Sequence, residues 1–341
     1  MAKILVTGGC GYIGSHTIVD LLNNGFEVVS IDNNSRSNAS TTHLIFSITG
    51  KQIKNYDIDL CDKEATKKVF EGEGKIDGII HFAALKSVPE SVQNPLLYYK
   101  NNLNSLLNLL ELTSEFNVEN FVFSSSCSVY GNTTQLPVTE ETPFGVAESP
   151  YARTKQLGED IICDFSKIAK AKFILLRYFN PVGAHESGKM GEDSTDLITA
   201  VVPRITGTAI GKFEEFIVFG SDYDTRDGSC IRDYIHVMDI ANAHTKAIQY
   251  LNANWSALSQ TEVFNLGTGN GVTVLEAIQS FEKVAGKKLN YKMGARREGD
   301  VVSIYANNNK ARTLLGWEIK RDLDTMMRTA WTWEQSVAGK S

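Results

Sequence analysis

Tyr151 and Lys155 stand four residues apart in "SPYARTKQLGE" (149–159), a segment that reads as the start of a helix. Residues at that spacing share one helical face, one turn apart. A free phenol has a pKa of ~10 and is a poor base at neutral pH. A cation held beside it favours the phenolate. The pair then makes a base that can take a proton from an alcohol while hydride leaves the same carbon. A surface tyrosine beside a solvated lysine would show the same spacing, so the pair needs supporting residues. "FVFSSSCSVYG" (121–131) ends an apolar strand with serines about 25 residues before Tyr151. Open α/β sheets bind ligands at the carboxyl ends of their strands, where such a hydroxyl can reach a reacting oxygen.

A hydride acceptor has a place as well. "VTGGCGYIGSH" carries Gly8, Gly11 and Gly14 between a strand and a helix. Glycines there allow a tight turn, close approach to a pyrophosphate and close helix–strand packing, and the helix N-terminus offers N–H groups to the phosphates. The next strand ends at Asp32, 24 residues after Gly8. A carboxylate there can accept both adenosine ribose hydroxyls and would repel a 2′-phosphate, favouring NAD over NADP. Arg36 leaves NADP open, because a nearby arginine can accommodate that phosphate. An Asx turn before Asn33 and Asn34 is the other reading of Asp32.

These side chains need a scaffold, and the chain reads as one. Of 341 residues, 42% are hydrophobic and 22% charged, which suits one large or two modest domains. Buried-type strands at 3–7, 27–31, 78–82, 121–125, 172–178 and 263–267 alternate with helices, most clearly at 11–24 and 96–116. That alternation predicts an α/β fold: a Rossmann-type doubly wound parallel sheet with a smaller C-terminal α/β substrate domain. We expect a nucleotide-binding domain over 1–180 that recaptures roughly 233–267, and a mainly substrate-binding domain over 181–341. Residues 180–196 read as loop, and "WTWEQS" near the end as helix packing.

Composition narrows the class. The net charge of −6 argues against nucleic acid as partner. The five cysteines form no C-x-x-C pair and no zinc spacing, so we expect reduced thiols, a cytoplasmic protein and no metal. No run of 18 apolar residues suggests a membrane span. His81 is expected to pack near the cofactor without a catalytic part, and His185 and His236 to be structural.

Taken together, "VTGGCGYIGSH", "IHFAALKSVPESV" (80–92), "YYKNN" (98–102), "FSSSCSVYG" (123–131), "SPYARTK" (149–155), "LRYFNPVGAH" (176–185), "RDYIHVMD" (232–239) and "RREGD" (296–300) carry a resemblance. It runs nearly end to end. The chain resembles the extended short-chain dehydrogenase/reductase family, and within it the branch that epimerises UDP-hexoses at C4. The resemblance implies interconversion of UDP-glucose and UDP-galactose through a transient 4-keto sugar, with tightly bound NAD and no net redox change.

For residues, the resemblance implies Tyr151 as catalytic base, Ser126 as catalytic serine and Lys155 as the lysine on the nicotinamide ribose. It places Gly8, Gly11, Tyr12, Ile13, Gly14, Asp32, Asn33, Asp59, Leu60, Phe82, Ala83, Lys86, Asn101, Ser124 and Tyr178 on the cofactor. It places Lys86, Asn180, Arg232, Tyr234, Arg297 and Asp300 on the UDP-sugar, with Ser126 and Tyr151 touching it too. Each arginine could instead make an interdomain salt bridge. A homodimer is implied, with helices around 96–116 and 156–170 as its interface, and no fused mutarotase domain.

Two positions depart from the pattern. Ala200 in "DLITAVVPRI" stands where an asparagine usually touches a phosphate, and Ile304 holds the gate position that is bulky in some members and small in others. Two rival readings stay in view. Nucleotide-sugar 4,6-dehydratases typically carry an Asp-Glu pair just before the Val-Tyr-Gly; here Cys127 and Ser128 stand there. A non-catalytic NAD sensor should have lost Tyr151 or Lys155.

Overall fold

The computed structural model describes residues 1–193, 198–254, 260–297 and 301–339. The first strands are β1 (Lys3–Thr7), β2 (Glu27–Ile31), β3 (Lys54–Tyr56), β4 (Gly78–His81), β5 (Asn120–Ser126) and β6 (Lys172–Tyr178). With β11 (Thr261–Leu266) they form one seven-stranded sheet in the order β3-β2-β1-β4-β5-β6-β11. Every pairing in it is parallel. The chain runs outward from β1 to β3, returns to β4 beside β1, and runs outward the other way. Strand order therefore reverses between β1 and β4, which is where such sheets bind ligands.

The strands read as near-continuous apolar runs because both faces are covered. Ile4, Val6, Val122 and Ile174 point to one face, while Leu5, Phe121, Phe123, Phe173 and Leu175 point to the other. The first face is packed by α1 (Tyr12–Asn23), α8 (Val237–Asn254) and α10 (Asn309–Leu315), through Ile18, Ile240 and Leu315. The second is packed by α3 (Lys63–Glu73), α5 (Pro95–Glu115) and α6 (Pro150–Ser166), through Phe70, Leu106 and Ile162. Between them in sequence lie α2 (Thr41–Thr49) and the short α4 (Val88–Gln93). The doubly wound sheet is thus present as expected.

The remaining elements build a smaller unit over the sheet's carboxyl edge. They are β7 (Asn180–Val182), α7 (Val201–Ile210), β8 (Phe216–Phe219), β9 (Ile231–Arg232), β10 (Tyr234–His236), β12 (Val272–Thr273), α9 (Val274–Ala285), β13 (Tyr291–Gly294), β14 (Ser303–Ile304) and α11 (Leu323–Ala338). Its core joins Val202, Val218, Ile278, Phe281 and Met327. Thr273 caps α9 in a full capping box with Glu276.

Two details differ from the sequence reading. Within 180–196, Asn180–Val182 is a strand, paired in parallel with β10. The edge strand β3 has the sequence Lys-Asn-Tyr and no apolar run to announce it.

Candidate active site

A cleft of about 1000 Å³ opens along the carboxyl ends of the sheet strands. The glycine turn forms one end of it. Gly8 has φ 69°, and a Cβ there would lie 2.8 Å from the Ala83 nitrogen. A Cβ on Gly14 would meet the Gly8 carbonyl oxygen at 2.2 Å. The turn therefore admits only glycine at both places, and it brings Gly8, Gly11, Tyr12, Ile13 and Gly14 to the cleft wall. Gly11 is the N-cap of α1 and caps it with no side chain, so the first-turn N–H groups face the cleft end unobstructed.

Asp32 sits at the tip of β2. Its Oδ2 accepts the Cys10 N–H at 2.9 Å, which ties the glycine turn to the strand. Its Oδ1 accepts the Asn34 N–H and the Ser37 hydroxyl, each at 2.9 Å. The Asx turn is therefore real, and the same carboxylate also lines the cleft. Asn33, Asp59, Leu60, Phe82, Ala83, Lys86 and Asn101 line it too, from turns that follow β2, β3 and β4 and from α5.

The chemistry-bearing side chains come from β5 and α6. Ser149 caps α6, accepting the Ala152 N–H at 3.2 Å, and Pro150 occupies its first turn. Tyr151 and Lys155 then face the end of β5, where Ser124 and Ser126 lie, and Tyr178 joins them from β6. The Lys155 ammonium donates to the Ser124 carbonyl at 2.7 Å and lies 5.9 Å from the Tyr151 ring centroid. The Tyr178 hydroxyl meets the Ser124 hydroxyl.

Burial dominates the electrostatics of the pair. Burial pushes the Tyr151 phenol up to about 12, and a hydrogen bond from the Ser126 side chain pulls it back. Burial pushes the Lys155 ammonium down to about 8, and Glu159 one turn further along α6 opposes that. Lys155 is turned toward the strand carbonyl of Ser124. Below both sits His81, with Nδ1 2.8 Å from the Thr7 hydroxyl and held neutral by burial, its pKa down to about 3.

Asn180 and Arg297 also line the cleft. The Asn180 Oδ1 is buried with no hydrogen-bond partner, the kind of acceptor a ligand donor would satisfy. Arg232 and Tyr234 are not in the lining. The Arg232 guanidinium donates to the Val301 carbonyl at 2.6 Å, and the pairing of β10 with β7 turns the Tyr234 ring into the core of the smaller unit. Asp300 lies outside the described residues. Ile304 packs with Tyr130, Val138 and Phe179, so it stands behind the cleft wall while Phe179 forms it.

A family model described as GDP-mannose 4,6 dehydratase matches residues 5–330. A UDP-glucose 4-epimerase of Bacillus subtilis is 46% identical over 334 residues, covering 98% of this chain and 97% of that protein. The crystal structure of UDP-glucose 4-epimerase from Bifidobacterium longum in complex with NAD+ and UDP superposes with a TM-score of 0.93 at 42% identity, covering all of both chains (100% and 100%). That of the Stenotrophomonas maltophila enzyme with NAD and a formylated UDP-arabinopyranose gives 0.96 at 39% identity, with the same full coverage (100% and 100%). The chain belongs to the UDP-glucose 4-epimerase family.

Within the epimerase family, the contrast with dehydratases is local. Cys127 and Ser128 begin a 3-10 turn directly after Ser126, and burial pushes the Cys127 thiol up to about 12. Neither residue can serve as a carboxylic acid or carboxylate there. The sequence reading missed several cleft residues: Glu148, Glu192, Lys212, Trp333 and Glu334. Glu192 pairs with Lys86 at 2.9 Å and takes the Trp333 indole N–H on its carbonyl at 3.2 Å. Trp333 therefore packs its helix and lines the epimerase cleft together. No local pattern announces Trp333 and Glu334, because α11 reaches the cleft from the far end of the chain.

Proposed function

We propose that Tyr151, Ser126 and Lys155 carry the reversible C4 epimerisation that converts UDP-glucose to UDP-galactose, on a cofactor held by the Gly8–Gly14 turn and Asp32. The observation that supports it most is the convergence of the three side chains on the same cleft as that turn. NAD, when bound, supplies acceptance and return of the C4 hydride. Tyr151 takes the proton of the 4-hydroxyl, and Ser126 holds the reacting oxygen. Lys155 holds the nicotinamide ribose from its seat on the Ser124 carbonyl. Lys86, Asn101 and Tyr178 flank the cofactor. Asn180 and Arg297 hold the uridine diphosphate, and guanidinium suits phosphate oxygens by its fork of donors. The diphosphate anchor stays fixed while the 4-keto sugar turns over and presents its other face, so remote binding energy retains the intermediate. Arg232 and Tyr234, which stand outside the cleft lining, and Asp300 are proposed as UDP ligands on the family resemblance alone.

The test is direct. Purified protein is incubated with UDP-galactose and no added nucleotide, UDP-glucose is followed by NMR, and denatured protein is assayed for released NAD. Conversion with NAD released supports the reading. No conversion with NAD released points to another nucleotide-sugar substrate.

The proposed division is a dinucleotide domain over 1–180, rejoined by the segment around 233–267, and a substrate domain over the rest. A homodimer is proposed through the helices around 96–116 and 156–170, α5 and α6, where Leu96 is 70% exposed beside half-exposed Leu97 and Leu107, and Ile168 just after α6 is 83% exposed. Light scattering on the eluting protein decides it. No helix among the described residues is long and apolar enough to cross a membrane. The five free cysteines support a reducing, cytoplasmic setting.

A further inference from the structure

Arg36 belongs to the turn after β2 that also holds Asp32. The Asn34 N–H and the Ser37 hydroxyl, on either side of it in sequence, both donate to Asp32 Oδ1 at 2.9 Å. Asp32, Arg36 and Ser37 line the same end of the cleft, and Ser87 and Val88 face them from the start of α4. An arginine in this turn is the usual partner of a 2′-phosphate on the adenosine ribose. Here its Nη2 donates to Glu90 Oε1 at 2.6 Å, and the other Glu90 oxygen accepts the Tyr98 hydroxyl at 2.8 Å. Tyr98 is fully buried, so Glu90 is held from behind and presents its free edge to the arginine.

We infer that Glu90 is a determinant of cofactor specificity: by engaging Arg36 it offsets the guanidinium charge beside the 2′ position, so the turn selects NAD even though it carries an arginine. The inference rests on the proposed placing of the adenosine ribose at Asp32. A 2′-phosphate would have to displace a held carboxylate from Arg36 and also face the Asp32 carboxylate. A 2′-hydroxyl needs neither. Two acidic groups thus act on one position, Asp32 directly and Glu90 through the arginine. The arrangement turns a residue type associated with NADP into a neutral part of an NAD site.

The experiment reads nucleotide content, not turnover. Wild type and variants are equilibrated with equimolar NAD and NADP, separated from free nucleotide and denatured, and the released dinucleotides are quantified. Wild type should carry NAD almost alone. Glu90→Gln keeps an acceptor for Tyr98 and removes the carboxylate charge that faces Arg36, and should raise the NADP:NAD ratio about tenfold, the worth of a modest charge-assisted contact. Adding Arg36→Gln to Glu90→Gln should cancel the rise. No rise in Glu90→Gln, or an equal rise in the double variant, overturns the inference. Should Glu90→Gln fail to fold, a comparison with Glu90 intact decides. In an Asp32→Asn background, Arg36→Gln should leave the ratio unchanged within twofold. A marked fall there shows that the arginine already serves the phosphate, and overturns the inference. Wild type that retains neither dinucleotide overturns the placing of the cofactor itself, and the inference with it.

Discussion

Arg177 on β6 grips Glu159 on α6 in a fully buried pair. Its Nε donates to Oε1 at 2.9 Å and its Nη2 to Oε2 at 2.6 Å, with the two residues 5% and 2% exposed. The pair lies one helical turn below Lys155 and joins the catalytic helix to the strand that carries Tyr178. Glu159 also takes the Ser125 hydroxyl, and Arg177 donates to the Tyr130 hydroxyl at 3.0 Å.

Breaking that pair from one side should be costly, because the other charge stays buried and uncompensated. Glu159→Gln or Arg177→Met alone is expected to destabilise by about 3–5 kcal/mol. The double variant should recover most of that loss, since no unpaired charge remains. Urea unfolding of the two singles and the double measures it. Singles that unfold at wild-type urea concentrations would remove the pair from the stability argument.

Tyr151→Phe keeps the ring and removes the proton acceptor. Turnover should fall by about 10²–10⁴-fold, the usual share of general acid–base catalysis. Far-ultraviolet circular dichroism and bound NAD should match wild type. Near-normal conversion of UDP-galactose in this variant would reassign the base.

Gly14→Ala places a methyl group where the Gly8 carbonyl stands, 2.2 Å from the new carbon. Backbone has to move, and the turn that approaches the pyrophosphate moves with it. The expected result is a folded protein that loses most of its NAD during purification. Nucleotide released per mole of denatured protein is the measurement, and a full complement would show that the turn tolerates the change.

Buried histidines set a pH dependence. Burial lowers His16 to about 4, His244 to about 4 and His81 to about 3, with the Lys155 charge adding at His81. Each lies below the unfolded value of ~6.5. Between those values the unfolded chain binds more protons than the folded one, so stability rises with pH. The contribution is whole above pH ~6.5 and is lost as pH falls toward the folded values. His244→Gln should therefore flatten the fall in melting temperature between pH 7 and pH 5. An unchanged slope in that variant would show that His244 does not titrate on unfolding.

Much of this protein could be read along the chain. The glycine turn, the tip of β2, the serines ending β5 and the Tyr151–Lys155 spacing are local patterns, each fixed by what a turn, a strand end or a helix face permits. The six predicted strands formed because unbroken apolar runs can be buried only in a sheet covered on both faces. Tertiary structure decided what depended on distance along the chain. It brought Trp333 and Glu334 to the cleft from the last helix and set Glu192 against Lys86. It turned Tyr234 into a core and Ile304 behind Phe179. It also decided what each charge does. Arg36 meets Glu90 across 54 residues, Lys155 meets the Ser124 carbonyl, and Tyr151 is buried beside Ser126. Spacing reports which side chains share an element. Only packing sets the partners and the burial that give them their charge states.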